Sequence, residues 1–165
     1  MKSNEAAVKS EIATFLEAFP EGAIFANTQN GQGYDLVLYA QKDGGPINVD
    51  KVQARLDDPK NAAIANSLRE VGINSAVELF GTYAGNARDL KPWFDAEPKA
   101  TINTDRNLRL QYLAGLGLNL YQSDPIYKSM IRSVQYPEGL FDGSPQTLQA
   151  LRARIEASIG GAPQF

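Results

Sequence analysis

The sequence predicts an α/β chain: a helix and an antiparallel β-hairpin over residues 1–45, then a mostly helical extension over 46–165. Three observations carry this. Val8, Ile12, Phe15, Leu16 and Phe19 recur at helical spacing. "AIFAN" and "YDLVLYA" are rich in β-branched and aromatic residues and flank the turn "TQNGQG". Downstream, capping residues, prolines and glycines punctuate one apolar-periodic segment after another.

Each element has its own reason. Asn4 can cap the first helix, and Pro20 and Gly22 end it. Asn30-Gly31 suits the positive dihedrals of a tight hairpin turn, giving a hairpin over Gly22–Gln41. Residues 41–48 read as a loop and Val49 to Leu56 as a short helix. Asp58 can cap the next helix with Pro59 in its first turn, and Ala63, Ile64, Leu68 and Val71 would form its buried face. Gly72 is a left-handed stop. "SAVE" at Ser75–Glu78 is a capping box opening a helix through Leu79, Phe80 and Tyr83, with Gly85 beyond it.

Arg88 to Ala100 contains Pro92, Trp93 and Pro98 and reads as mostly irregular. In "NTDRNLRLQYLAGLGLNLY" the alternation of Leu108, Leu110 and Tyr112 suits a strand, whereas Tyr112, Leu113 and Leu116 suit the favoured helix. "SDPIYKSMIRSV" and "SPQTLQALRARIEASIGG" each begin with a cap and a proline. The second puts Leu148, Leu151, Ile155 and Ile159 on one face and stops at Gly160-Gly161. Two strands and about six helices result. The Tyr34–Tyr39 strand is apolar on both faces, as in a sheet covered on both sides, so the hairpin needs neighbours.

Composition narrows function by exclusion. The chain has no histidine and no cysteine, which removes the commonest general base, thiolate metal sites and disulfides. The acidic residues lack calcium-loop spacing. A net charge of −3 with scattered Lys and Arg gives no reason to expect nucleic acid or an anionic membrane as partner. No run approaches the ~20 apolar residues of a membrane span, and the N-terminus reads as an amphipathic helix rather than a signal peptide. A cytoplasmic chain is expected.

The chemical motifs are weak. "GQGYDL" at Gly31–Leu36 leads into a strand, so no helix N-terminus meets a phosphate and a hairpin turn is the better reading. "GLG" at Gly115–Gly117 follows no clear strand and suits close helix packing. Asp57 and Asp58 are adjacent and point apart, and Asp58 already serves as a cap; Asp35 and Glu21 read as solvated. "NTDRN" at Asn103–Asn107 is either a helix N-terminal turn capped by Thr104 or Asp105, or a functional loop. Trp93 and Phe94 read as a satellite core rather than a stacking platform.

The stretch "EAAVKSEIATFLEAFPEGAIFANTQNGQGYDLVLYAQ" resembles the late part of the spermidine synthase family, the polyamine aminopropyltransferases. The similarity is strongest to bacterial members in which that domain follows membrane-spanning segments. "SLREVGINSAVELFGTYAG" and "INTDRNLRLQYLAGLGLN" extend it over most of Glu5 to Tyr127. The resemblance implies that the hairpin closes the edge of a methyltransferase-like (Rossmann-like) sheet whose parallel strands lie upstream. Those strands would hold decarboxylated S-adenosylmethionine and the catalytic aspartate, so the chain alone is expected to be inactive and to carry no cofactor site.

What remains is one wall of a substrate pocket, with Phe19, Pro20, Asn103, Thr104 and Asp105 as candidate binding residues. Phe19 falls where the family usually places a tyrosine, and it lacks the hydroxyl that would hold an ammonium. The expected partner is a second copy or an upstream catalytic half, and any tether to a membrane would lie in an upstream segment. The alternative is a non-catalytic helical assembly module derived from that family.

Overall fold

The computed structural model describes residues 4–29, 32–42, 44–114 and 123–160. In chain order they form α1 (Glu5–Ala18), β1 (Ala23–Gln29), β2 (Gln32–Tyr39), β3 (Ile47–Asn48), α2 (Val49–Asp57) and a 3-10 turn (Pro59–Asn61). There follow α3 (Ala62–Glu70), α4 (Ala76–Phe80), β4 (Tyr83–Asn86), α5 (Ala87–Asp95), α6 (Arg109–Ala114), α7 (Ser123–Ile131), β5 (Phe141–Asp142) and α8 (Pro145–Gly160). These residues make two units, one within 4–44 and 83–135, the other within 45–82 and 136–160. After the 45–82 segment, residues 83–135 return to the first unit.

The first unit is a three-stranded antiparallel sheet with helices. The Asn4 side chain accepts from the Ala7 N–H at 2.8 Å and starts α1, which buries Val8, Ile12 and Leu16. At its end the Phe19 N–H still reaches Phe15 O at 2.9 Å. Gly22 then passes so near that an added Cβ would lie 2.9 Å from Phe19 O, which fixes glycine at the turn into β1. β1 and β2 pair with Ala23 opposite Tyr39, Phe25 opposite Val37 and Asn27 opposite Asp35. The Asn30-Gly31 turn lies outside the described residues.

The hairpin gains a third strand that the sequence reading placed in a helix. α4 stops at Phe80, and Tyr83–Asn86 pairs antiparallel with the other edge of β1, giving the order β2-β1-β4. Tertiary pairing overrides the local helical pattern because β1 offers an open row of backbone donors and acceptors. Tyr83 and Ala84 are buried in it. Gly85 has φ +132, and an added Cβ would meet Leu90 at 2.9 Å, so the close approach of α5 requires glycine.

The irregular segment expected over Arg88–Ala100 is instead largely α5. Asn86 caps it through Asp89 N at 2.9 Å, and Pro92 sits inside it on the exposed side, removing one backbone hydrogen bond, a cost that the burial of Leu90 and Trp93 offsets. Leu90 and Trp93 face inward. α6 has the favoured helical period as far as Ala114, and "GLG" at 115–117 lies outside the described residues.

The second unit is helical around a short parallel pair, with Ile47 opposite Phe141 and Asn48 opposite Asp142. Val49, Ala65, Ala76, Leu151 and Ile155 form its core. Half of the expected capping box forms: Ser75 Oγ accepts from Glu78 N at 3.1 Å, but the Glu78 carboxylate accepts from Asn74 N at 2.5 Å, one residue before the cap, rather than from Ser75 N. The buried face expected for α3 is corrected. Ala63, Ile64 and Val71 are exposed and Ala65 is buried, because the 3-10 turn breaks the helix after Asn61 and shifts its phase. α8 buries Leu151 and Ile155 as expected. Its stop residue Gly161 lies outside the described residues.

Candidate functional site

Phe19 and Pro20 occupy the turn between α1 and β1. Both are exposed, Phe19 at 49%, and the Phe19 ring packs on Phe15 with centroids 5.3 Å apart. The Phe19 ring is therefore half in water and not sealed in a core.

Asn103, Thr104 and Asp105 share one loop, held against the middle of α1 by a hydrogen-bond ladder. Ser10 Oγ donates to Thr101 O, Thr14 Oγ1 donates to Ser10 O at 2.6 Å, and the Asn103 N–H donates to Thr14 Oγ1 at 2.7 Å. The loop therefore meets α1 at Thr14, while Phe19 lies beyond the helix end.

Capping of α6 differs from the expectation. Asn103 Oδ1 accepts from Leu110 N at 2.8 Å, and Asn107 Oδ1 accepts from Arg109 N at 3.1 Å and Thr104 N at 3.0 Å. Thr104 Oγ1 takes the Asn107 N–H at 3.3 Å, and Asp105 is exposed. The amides displace Thr104 and Asp105 as caps because the chain turns once more at Leu108, whose φ is +45. The Asn103 side-chain oxygen is thus committed to the loop. Thr104 and Asp105 remain on the surface.

Two buried polar arrangements escaped the sequence reading. Lys9 is fully buried; its Nζ lies 3.2 Å from Glu5 Oε1, donates to Ala96 O at 2.9 Å and sits 5.1 Å from the Trp93 ring centroid. The indole N–H of Trp93 in turn donates to Ser129 Oγ at 2.9 Å. Asp89 is 6% exposed and accepts from the Tyr83 hydroxyl at 3.1 Å and from Arg88 Nε at 3.3 Å. Burial, and then the charge of Asp89, push the Tyr83 phenol far above its ordinary value, so it stays a donor. The spacing of Glu5 to Lys9 and of Asn86 to Asp89 is readable as a helix pair and a cap; the burial is not.

These interior groups are bonded to one another and hold elements in place, so they form a scaffold, not an acid–base pair open to a substrate. Among the described residues no group of three or more acidic side chains could hold a metal ion, and no helix is long and apolar enough to cross a membrane. Comparison with known proteins finds no matching family model, no matching curated protein and no matching solved structure.

Proposed function

We propose that this chain is the C-terminal part of a spermidine synthase-like aminopropyltransferase, supplying one wall of the amine pocket and not the catalytic centre. One observation carries the reading: among the described residues β2 pairs with β1 alone, so the sheet can continue on its other side, and the exposed Phe19-Pro20 turn opens the same sheet. The resemblance puts the catalytic strands upstream, where such an edge would receive them. Phe19 contributes apolar surface to the amine chain and no hydroxyl, which favours a substrate whose contact there is methylene rather than ammonium.

The test is to sequence the DNA upstream of Met1, express the protein with any open frame found there, and assay aminopropyl transfer from decarboxylated S-adenosylmethionine to putrescine and longer amines. Transfer by the extended protein, with no ligand heat from the shorter chain in calorimetry, supports the reading. An upstream frame with no glycine-rich loop, or micromolar binding of the nucleoside by the chain alone, refutes it.

β4 favours a second reading, a non-catalytic assembly module. With three strands and its own buried residues, the first unit has a sheet built within this chain. A monomer whose β2 amides exchange slowly would remove the support for both readings.

A further inference from the structure

Three of the exposed large apolar residues fall within one short segment: Ile102 at 36%, Leu108 at 42% and Tyr112 at 71%. The Tyr112 N–H donates to Leu108 O at 3.3 Å, so these two stand one helical turn apart, and Asn107 Nδ2 donates to Ile102 O at 2.8 Å, which closes the loop beneath them. Leu108 holds φ +45, a conformation suited to glycine or asparagine. An apolar side chain kept there, 42% exposed, points to a use for it at the surface.

The charge of the segment is equally one-sided. Lys99, Arg106 and Arg109 flank the apolar trio and have no ion-pair partner among the described residues, while Asp105 is the single carboxylate between Lys99 and Tyr112. The Nε of Arg109 is buried without a hydrogen-bond partner. This local excess of cations stands against a chain of net charge −3.

We infer that the Lys99–Tyr112 segment docks on an anionic lipid surface, with Leu108, Ile102 and Tyr112 entering the headgroup boundary and the exposed cations Lys99 and Arg106 meeting lipid phosphates. Apolar insertion plus basic side chains is the combination by which monotopic segments bind anionic bilayers. A second copy is disfavoured, because a two-fold contact would set the same cations against one another. Nucleic acid is disfavoured because two of the three apolar groups are aliphatic and offer bases no stacking face. The inference is independent of the amine-pocket reading.

Vesicle flotation tests it, using phosphatidylcholine alone and phosphatidylcholine enriched in phosphatidylglycerol. The chain floats with the anionic vesicles and is released by salt. Arg106→Glu and Tyr112→Ser each weaken partitioning by about five-fold or more. Ile64→Ser, which removes a 59%-exposed apolar residue from the second unit, leaves binding unchanged. Leu108→Asn weakens binding without lowering the thermal midpoint, which separates lost docking from lost folding. Equal binding to both vesicle types, equal weakening by Ile64→Ser, or a dimer that Tyr112→Ser dissolves in the absence of vesicle binding overturns the proposal.

Discussion

The ammonium of Lys9 lies 5.1 Å from the centre of the Trp93 ring and donates at 2.9 Å to the carbonyl of Ala96, so one buried cation joins α1 to the end of α5. Its remaining charge is met by Glu5, one helical turn earlier. Lys9→Met keeps most of the volume but leaves the Ala96 carbonyl without its donor. The expected loss is about 1–3 kcal/mol, the cost of an unsatisfied buried acceptor. Urea unfolding followed by Trp93 fluorescence measures it, and an unchanged midpoint would show that water replaces the ammonium.

The Tyr83 hydroxyl donates to buried Asp89 at 3.1 Å. Tyr83→Phe removes that donor and is expected to cost about 1–3 kcal/mol at neutral pH. The pH dependence follows from the direction of the shift. The folded phenol is held above its ordinary value of 10.0, so its stabilising contribution is complete below pH 10 and declines as pH rises beyond it. Stability of the native chain should therefore fall more steeply in the alkaline range than that of Tyr83→Phe. Parallel slopes would contradict the buried-phenol assignment.

In the second unit, Asp50 accepts from the Ser144 N–H at 2.5 Å and from Thr147 Oγ1 at 2.6 Å, capping α8 from a distant point in the sequence. The Thr147 and Ser144 bonds hold its carboxyl below the ordinary 3.8. The stability this supplies is present above that value and is lost as pH falls below it. Asp50→Ala should lower the thermal midpoint at pH 7, with the difference from the native chain closing in strong acid. A gap that persists at low pH would assign the effect to packing.

Val37, 55% exposed on the edge strand β2, makes that strand a template for strand addition. The purified chain is expected to scatter light as a dimer or larger species, and Val37→Lys to shift it toward the monomer. A native chain that is monomeric across a wide concentration range would show the edge to be protected.

Much of the scaffold was legible because local chemistry specified it. Asn4, Asp58 and Ser75 announce their helix starts, and the β-branched and aromatic run in "YDLVLYA" announces a strand. β4 was not legible, since Tyr83–Asn86 becomes a strand only because β1 has an edge to fill. α5 was hidden by Pro92, a breaker by local rules, which the burial of Leu90 and Trp93 outweighs. The buried face of α3 was misplaced because a single 3-10 turn rotates everything after it. Of the candidate site, the turn that holds Phe19 and Pro20 was readable from Pro20 and Gly22, whereas the bond from Asn103 N–H to Thr14 Oγ1 joins residues far apart in the chain.

The interleaving of the two units sets an order on biosynthesis. As the chain leaves the ribosome, α1 and the β1–β2 hairpin emerge well before β4, which follows only after the whole 45–82 segment. That segment in turn waits for Phe141 to pair with Ile47 and for Ser144 to meet Asp50. Both halves of the nascent protein therefore spend part of synthesis with an unfilled strand edge, and a protease or chaperone that recognises such edges has its opportunity then. A ribosome stalled before residue 83 would display a hairpin without its third strand, and the finished chain cannot be cut once to release either unit whole.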